Sequence, residues 1–359
     1  MQTTKNLFFP GIHKPVYLLN FVTNRCNARC EHCFYWRELN KKQDEELTVQ
    51  EHALFAKSLG PMLQITFTGG SPELRMDLPE IVNEYYMYCR PVNMTFCMLG
   101  YQTENVLMHV KKILEICKGQ LITVSFSIDG IGKVHDDLRK LNGLFVREIK
   151  TIKELNVLRN TYSNLRIDVG TVIHGMNIQS VFETAKWITD NLKIDKFKPI
   201  LVRGDTLNQR VKVAGCAKVY SKIVDESDKW IINKTQNRLK LTDKIIRAKE
   251  LVQREIIVKT SQTGMSGIKC SGARETAVLY PNGDVAGCEM RNNILGNVRD
   301  YKYNIKNIWF SPNANIFRIT TGKVKECNGC YHHCFISPAI FRTPDLIIKV
   351  MKQIIRIRN

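Results

Sequence analysis

The chain has 359 residues, 44% hydrophobic and 24% charged, which excludes a disordered or collagen-like polymer and leaves room for one large α/β unit plus a smaller module. No run of 18 apolar residues occurs, and the start Met1-Gln2-Thr3-Thr4-Lys5 lacks the regions of a signal peptide, so the chain reads as cytoplasmic. Lys plus Arg outnumber Asp plus Glu by 53 to 34; the net charge of +19 favours anionic partners such as nucleic acid, an acidic substrate or an anionic lipid surface. A plain basic surface accounts for it equally, because the lysines are spread along the chain.

After an N-terminal extension over 1–15, β-branched and aromatic runs predict strands at 16–23, 63–68, 92–98, 121–128, 165–173 and 194–202. Helical patterns fall between them at 48–59, 78–89, 104–117, 144–158 and 178–192. Strands alternating with helices over 16–203 predict an α/β unit whose parallel sheet curls toward a partial barrel, with ligands at the strands' carboxyl ends. A charge-rich helical connector follows over 204–263, then the linker Gly264-Met265-Ser266-Gly267 opens a second module over 264–340. Within it 277–280 and 285–288 read as a hairpin about the turn Pro281-Asn282-Gly283-Asp284, where Asn-Gly supplies the positive φ angles. The C-terminal segment 341–359 contains a basic amphipathic helix, with Ile347, Ile348, Met351, Ile354 and Ile355 at helical spacing among Lys349, Lys352, Arg356 and Arg358. Docking on the protein's own core is favoured for it over peripheral membrane contact, which the pattern also permits.

Twelve cysteines in a chain of this kind suggest metal binding, and spacing sorts them. Cys26, Cys30 and Cys33 follow directly on the first strand; Cys327, Cys330 and Cys334 form a second cluster; Cys270 and Cys288 flank the hairpin. Cys89, Cys97, Cys117 and Cys216 stand alone, and buried inert thiols are their default. Three thiolates with no fourth nearby suit an iron-sulfur cluster with one iron left open, zinc with His32 being the alternative.

The loop Cys26-Asn27-Ala28-Arg29-Cys30-Glu31-His32-Cys33 resembles the C-x3-C-x2-C signature of the radical S-adenosylmethionine (radical SAM) superfamily. The resemblance implies a (β/α)6 TIM-like partial barrel and a [4Fe-4S] cluster whose open iron is chelated by SAM. It further implies reductive cleavage of SAM to methionine and a 5′-deoxyadenosyl radical. Thr68-Gly69-Gly70-Ser71-Pro72-Glu73 looks like the family's Gly-Gly-Glu-Pro turn, with Ser71 where Glu is usual. Gly69, Gly70 and Ser71 are then SAM-binding candidates, the glycines letting backbone approach the ligand closely, with Glu73 a possible substitute for the absent Glu. Ser127-Ile128-Asp129-Gly130 with Arg139 resembles the SPASM-containing branch, which implies that Ser127 and Arg139 bind the SAM carboxylate and leaves Asp129 to shape the turn. Thr171 is the candidate for a polar contact near the ribose; Met98-Leu99-Gly100 replaces the usual Thr-Asn-Gly.

Cys270, twelve residues, Gly283, four residues and Cys288 resemble the opening of the SPASM and twitch auxiliary-cluster domains. Five cysteines (Cys270, Cys288, Cys327, Cys330 and Cys334) suit one auxiliary [4Fe-4S] cluster held by four of them, a zinc ribbon being the alternative. The expected activity is an oxidoreductase-type hydrogen abstraction, a two-electron oxidation of a small polar substrate such as a sugar or aminocyclitol. The alternative is a peptide maturase forming crosslinks or epimers, disfavoured here because only about fifteen residues precede the first strand. A SAM-binding protein without turnover and a nucleic-acid-modifying enzyme stay in view, although no clustered basic patch speaks for nucleic acid. Arg203 and Asp205, just past the sixth strand, are candidate substrate contacts, and Cys97 a candidate hydrogen-atom donor. A flavodoxin or ferredoxin is the expected electron donor.

Overall fold

Alternation along each strand decides which way the sheet faces. In the computed structural model, which describes residues 13–41, 45–213, 215–234, 241–291 and 293–357, six parallel strands form the first half of the molecule. They are β1 (Tyr17–Thr23), β2 (Gln64–Gly69), β3 (Asn93–Cys97), β4 (Leu121–Ser127), β5 (Leu165–Ile173) and β6 (Lys196–Leu201), paired in sequence order. Helices α1 (Val49–Leu59), α2 (Leu78–Cys89), α3 (Thr103–Ile116), α4 (Lys133–Arg139), α5 (Leu144–Leu158) and α6 (Val181–Asn191) occupy the connections. Ile65, Phe67, Met94, Phe96, Ile122, Val124, Phe126, Ile167, Val169 and Phe197 are fully buried on one face of the sheet. Each such side chain contributes about 1.5–3 kcal/mol by leaving water. The opposite face carries Thr66, Thr68, Cys97, Ser125, Ser127 and Lys198, all half-buried.

The C-terminal hairpin does not form a separate sheet. Strand β7 (Thr276–Leu279) pairs in parallel with β1, and β8 (Asp284–Ala286) and β9 (Ile294–Asn297) continue antiparallel. The result is one sheet in the order β6-β5-β4-β3-β2-β1-β7-β8-β9, with β6 and β9 at its two edges and no closure. The second module therefore extends the barrel wall from β1, which fixes its cysteines relative to the first loop.

Two helices, α7 (Cys216–Lys234) and α8 (Leu241–Thr263), separate the halves; α9 (Ile305–Trp309), α10 (Pro312–Thr320), α11 (His333–Ile340) and α12 (Pro344–Arg356) complete the C-terminal part. Helix α12 lies against α8 with Leu346 and Val350 buried, while Ile348, Met351 and Ile355 stay exposed. Arg358 and residues 1–12 of the N-terminal extension lie outside the described residues. Among the described residues no helix is long and apolar enough to cross a membrane.

Candidate functional site

The first cysteine loop leaves β1 and is held from several sides. Asn40 accepts the Cys26 N–H (3.0 Å) and donates to the Cys26 carbonyl (3.1 Å). The end of α4 accepts from the loop twice, Arg29 N–H to the Arg139 carbonyl and Glu31 N–H to the Leu138 carbonyl, both 3.0 Å. Beyond β6, the Leu207 and Asn208 N–H groups reach the Cys33 and Glu31 carbonyls at 3.0 and 2.9 Å.

The paired glycines weld the β2 turn to this loop. A Cβ on Gly69 would lie 2.3 Å from the Thr23 carbonyl oxygen, and one on Gly70 2.1 Å from that of Arg25. In that space the Gly70 N–H donates to Thr23 (2.8 Å) and the Ser71 N–H to Arg25 (2.7 Å). The closeness expected between glycine backbone and ligand is thus, on this side, closeness to the residue before Cys26.

Ser71 is buried, and Glu73 beside it spends one carboxylate oxygen on the N–H groups of Leu99 (3.0 Å) and Gly100 (2.8 Å). Burial pushes the Glu73 carboxyl above its usual range against these hydrogen bonds. Glu73 therefore ties the turn after β2 to the segment after β3, the two places that depart from the family pattern. Ser127 ends β4 on the half-buried face, its N–H held by Glu148 at 3.0 Å. Thr171 does not join them: it is fully buried, shares the parity of Ile167 and Val169, and donates its hydroxyl to the Ile128 carbonyl (2.6 Å).

Beneath Cys30 lies a buried charged unit. Arg139 donates from Nε (2.9 Å) and Nη2 (2.7 Å) to Asp129 Oδ2, and Nη1 reaches the Cys30 sulfur at 3.8 Å. Burial alone would raise Asp129, but the Arg139 guanidinium beside it brings it down to about 2. His32, 3.5 Å from Asp129 and stacked on His174, is pushed down to about 3 by burial, so it is neutral at physiological pH. Asp129, assigned only a turn-shaping role from sequence, is the centre of this unit.

The free thiols of Cys26 and Cys33 are pushed up to about 12 by burial and that of Cys30 is raised, so iron must displace a proton at each. The backbone is already turned toward such thiolates: the N–H two residues on faces the sulfur of Cys26 (from Ala28) and of Cys33 (from Tyr35). In the second module Gly272 does the same for Cys270 and Met290 for Cys288, both at 3.3 Å, and His332 for Cys330. Neither Cys327 nor Cys334 is shown with such a donor: the Gly329 N–H goes to the Gly264 carbonyl and the Ile336 N–H to the His332 carbonyl, both at 3.0 Å. Cys270 is influenced by Cys330 and Cys327, and Cys288 by Cys270 and Cys330; Cys334 is influenced by Glu289, Arg203, Cys97 and Lys198 instead. Among the described residues no three His, Cys, Asp or Glu side chains converge on the point one metal ion would occupy. A cubane cluster makes no such demand, since each thiolate bonds a different iron. The residues present fit two clusters.

The two cysteine sets meet at one mouth. Arg203 stands over the Phe34 ring, 5.5 Å to its centre, and donates to Glu289 at 3.4 Å, next to Cys288. A Cβ on Gly204 would lie 2.7 Å from Phe34 Cβ and 2.8 Å from the Met290 sulfur, so only glycine passes between the first loop and the second module. Glu289 also pairs with buried His332. Sequence reading missed both, although each sits inside a cysteine motif. Cys97 ends β3 within the electrostatic reach of Lys198, Glu289 and Arg203, and burial raises its thiol. Asp205 is not brought into the mouth: 56% exposed, it pairs with Arg37 at 2.9 Å and accepts from Gln209 at 2.8 Å.

The Radical SAM superfamily model matches residues 20–188, and the SPASM model, an iron-sulfur cluster-binding domain, matches residues 270–331. An uncharacterized protein of Methanocaldococcus jannaschii is 30% identical over 189 residues, 51% of this chain and 63% of that protein. The sporulation killing factor maturation protein SkfB of Bacillus subtilis is 28% identical over 169 residues, 46% of this chain and 37% of its own. The chain thus spans less than two thirds of either relative. In fold, it resembles the crystal structure of Streptococcus suis SuiB bound to the precursor peptide SuiA, with TM-score 0.59 and 15% identity over 94% of this chain and 73% of that one.

Proposed function

We propose, from the premise that this chain is a radical SAM protein with a C-terminal SPASM-type iron-sulfur domain, that it is an enzyme removing hydrogen from a peptide held at the barrel mouth. Cys26, Cys30 and Cys33 would hold the first cluster and leave one iron for SAM; when bound, the pair supplies an electron and a radical able to abstract hydrogen from an unactivated C–H bond. Ser71, Glu73 and Ser127, together with the backbone of Gly69 and Gly70, would orient SAM. Cys270, Cys288, Cys327 and Cys330 would hold the second cluster, leaving Cys334 out. Arg203 would bind a carboxylate or carbonyl of the substrate, a reading supported by its Nε, which is buried without a hydrogen-bond partner. Cys97, within electrostatic reach of Arg203, would be the hydrogen-atom donor where the reaction needs one. Neither Thr171 nor Asp205 has a part in this reading.

One observation carries it: Arg203 and Gly204 touch both the loop of the first cysteine set and the module of the second. A substrate radical formed there lies beside a potential electron acceptor, which suits net two-electron oxidation or crosslinking. Peptide takes precedence over the small sugar-like substrate expected from sequence, since SkfB is named as a maturation protein and SuiB was solved with a precursor peptide. The sugar-like reading keeps one support, the polar wall of Thr66, Thr68, Ser125, Ser127 and Lys198. Reduced, reconstituted enzyme should be given SAM with a panel of peptides and, separately, of sugars and aminocyclitols. A peptide losing two hydrogen atoms by mass, in step with 5′-deoxyadenosine, supports the proposal; oxidation confined to the small molecules would replace it.

A further inference from the structure

Arg139 offers a second role, distinct from the SAM carboxylate contact its motif implies. Its side chain is only 9% exposed, and Asp129 fixes its orientation by taking both Nε and Nη2 on one oxygen. Asp129 is itself immobilised: its other oxygen accepts the Val172 N–H of β5 at 2.8 Å, and its own N–H donates to His135 at 3.1 Å. The guanidinium cannot swing away without breaking these bonds, and the edge left over points Nη1 at the Cys30 sulfur. At 3.8 Å that contact is a weak hydrogen bond by itself, so the orientation of the ion pair matters more than the bond. The cation lies on the sulfur side and the carboxylate behind it.

We infer that Arg139 sets the electron affinity of the first cluster, its guanidinium presenting the positive end of a buried ion pair to the Cys30 thiolate. The inference rests on the proposal that Cys26, Cys30 and Cys33 hold that cluster. Reduction adds one negative charge to the cluster, and a cation fixed beside a ligand sulfur stabilises the reduced form and raises the potential. Arg139 is a positioning residue here: it acts through Cys30, and its carbonyl also holds the loop at Arg29.

The test is an EPR-monitored redox titration of full-length reconstituted protein without SAM, alongside SAM affinity by equilibrium dialysis. The wave of the first cluster is the one that disappears when Cys26, Cys30 and Cys33 are all changed to Ala. Arg139→Gln should lower its midpoint by the equivalent of about tenfold in the reduced-to-oxidised ratio, about 59 mV. The double variant Arg139→Gln with Asp129→Asn should fall less, because no buried carboxylate is left facing the sulfur, and Arg139→Lys least. SAM affinity should change by less than about threefold in Arg139→Lys. If Arg139→Gln does not assemble the cluster, the double variant and Arg139→Lys decide. An unchanged midpoint in the variants that assemble overturns the inference, and an unchanged midpoint with lost SAM affinity returns Arg139 to the role its motif implies. A wild type from which the triple variant removes no wave refutes the cluster assignment itself, a separate failure.

Discussion

Gly70→Ala is the sharpest probe of how the first loop is built. The added Cβ would stand 2.1 Å from the Arg25 carbonyl oxygen, 2.6 Å from its carbon and 3.0 Å from the Asn24 oxygen, whereas ordinary contact begins at 3.4 Å. All three atoms are backbone, so no side chain can rotate away, and residues 24–25 must retreat by more than about 1 Å, twice the tolerance of a preorganised site. Cys26 is next in the chain. Overpacking costs about 1–3 kcal/mol, and loss of the bonds from Gly70 to Thr23 and from Ser71 to Arg25 costs about 1 kcal/mol each. The expected total is about 3–5 kcal/mol, concentrated on the loop. Iron analysis after anaerobic reconstitution should show about four of eight irons lost, with those of the second cluster retained, and urea denaturation should show the lowered stability. Full iron with unchanged stability would refute the claim that these glycines exist for the loop.

The remaining predictions use other parts of the molecule. Cys334→Ala should keep about eight irons, whereas Cys327→Ala should lose up to four or give a three-iron EPR signal on mild oxidation; the reverse pattern would move the fourth ligand to Cys334. Asp205→Ala should leave SAM cleavage unchanged and stability within about 1 kcal/mol in denaturant melts, since its partner Arg37 is 62% exposed. Burial raises Glu275 to about 7 despite the pull of Arg342, so the native state holds a proton there that the unfolded chain releases at about 4.5. The Glu275 contribution to stability should therefore fall as pH rises from about 4.5 to about 7, and Glu275→Gln should flatten that fall in urea titrations at pH 5 and pH 7; an unchanged slope would count against it.

Much of this architecture can be read from local pattern. The six strands and their helices follow from β-branched runs and apolar periodicity, and α2 and α5 fall where the pattern places them, because those signals are local. The parallel pairing of β7 with β1 joins residues some 260 positions apart, and no local signal encodes that register. Helix α4 has only seven residues, too few for periodicity to show, yet it carries the cysteine loop. For Thr171 the local signal is its strand parity, shared with the buried Ile167, Val169 and Ile173. Asp205 resembles a site residue by its position after β6; its partner Arg37 comes from the segment after β1, 168 residues away along the chain, which sequence spacing cannot show. The cysteine motifs were legible because a cluster needs specific spacings, and the Arg139–Asp129 pair was only half legible because its direction depends on the tertiary fold.

The central claim is that the first loop carries a cluster that cleaves SAM. The direct measurement is 5′-deoxyadenosine released from SAM by reconstituted, dithionite-reduced protein, compared with the variant in which Cys26, Cys30 and Cys33 are changed to Ala. The account predicts product from the wild type and none from the variant. A wild type that carries its full iron and binds SAM yet releases no 5′-deoxyadenosine, with or without peptide, would contradict it.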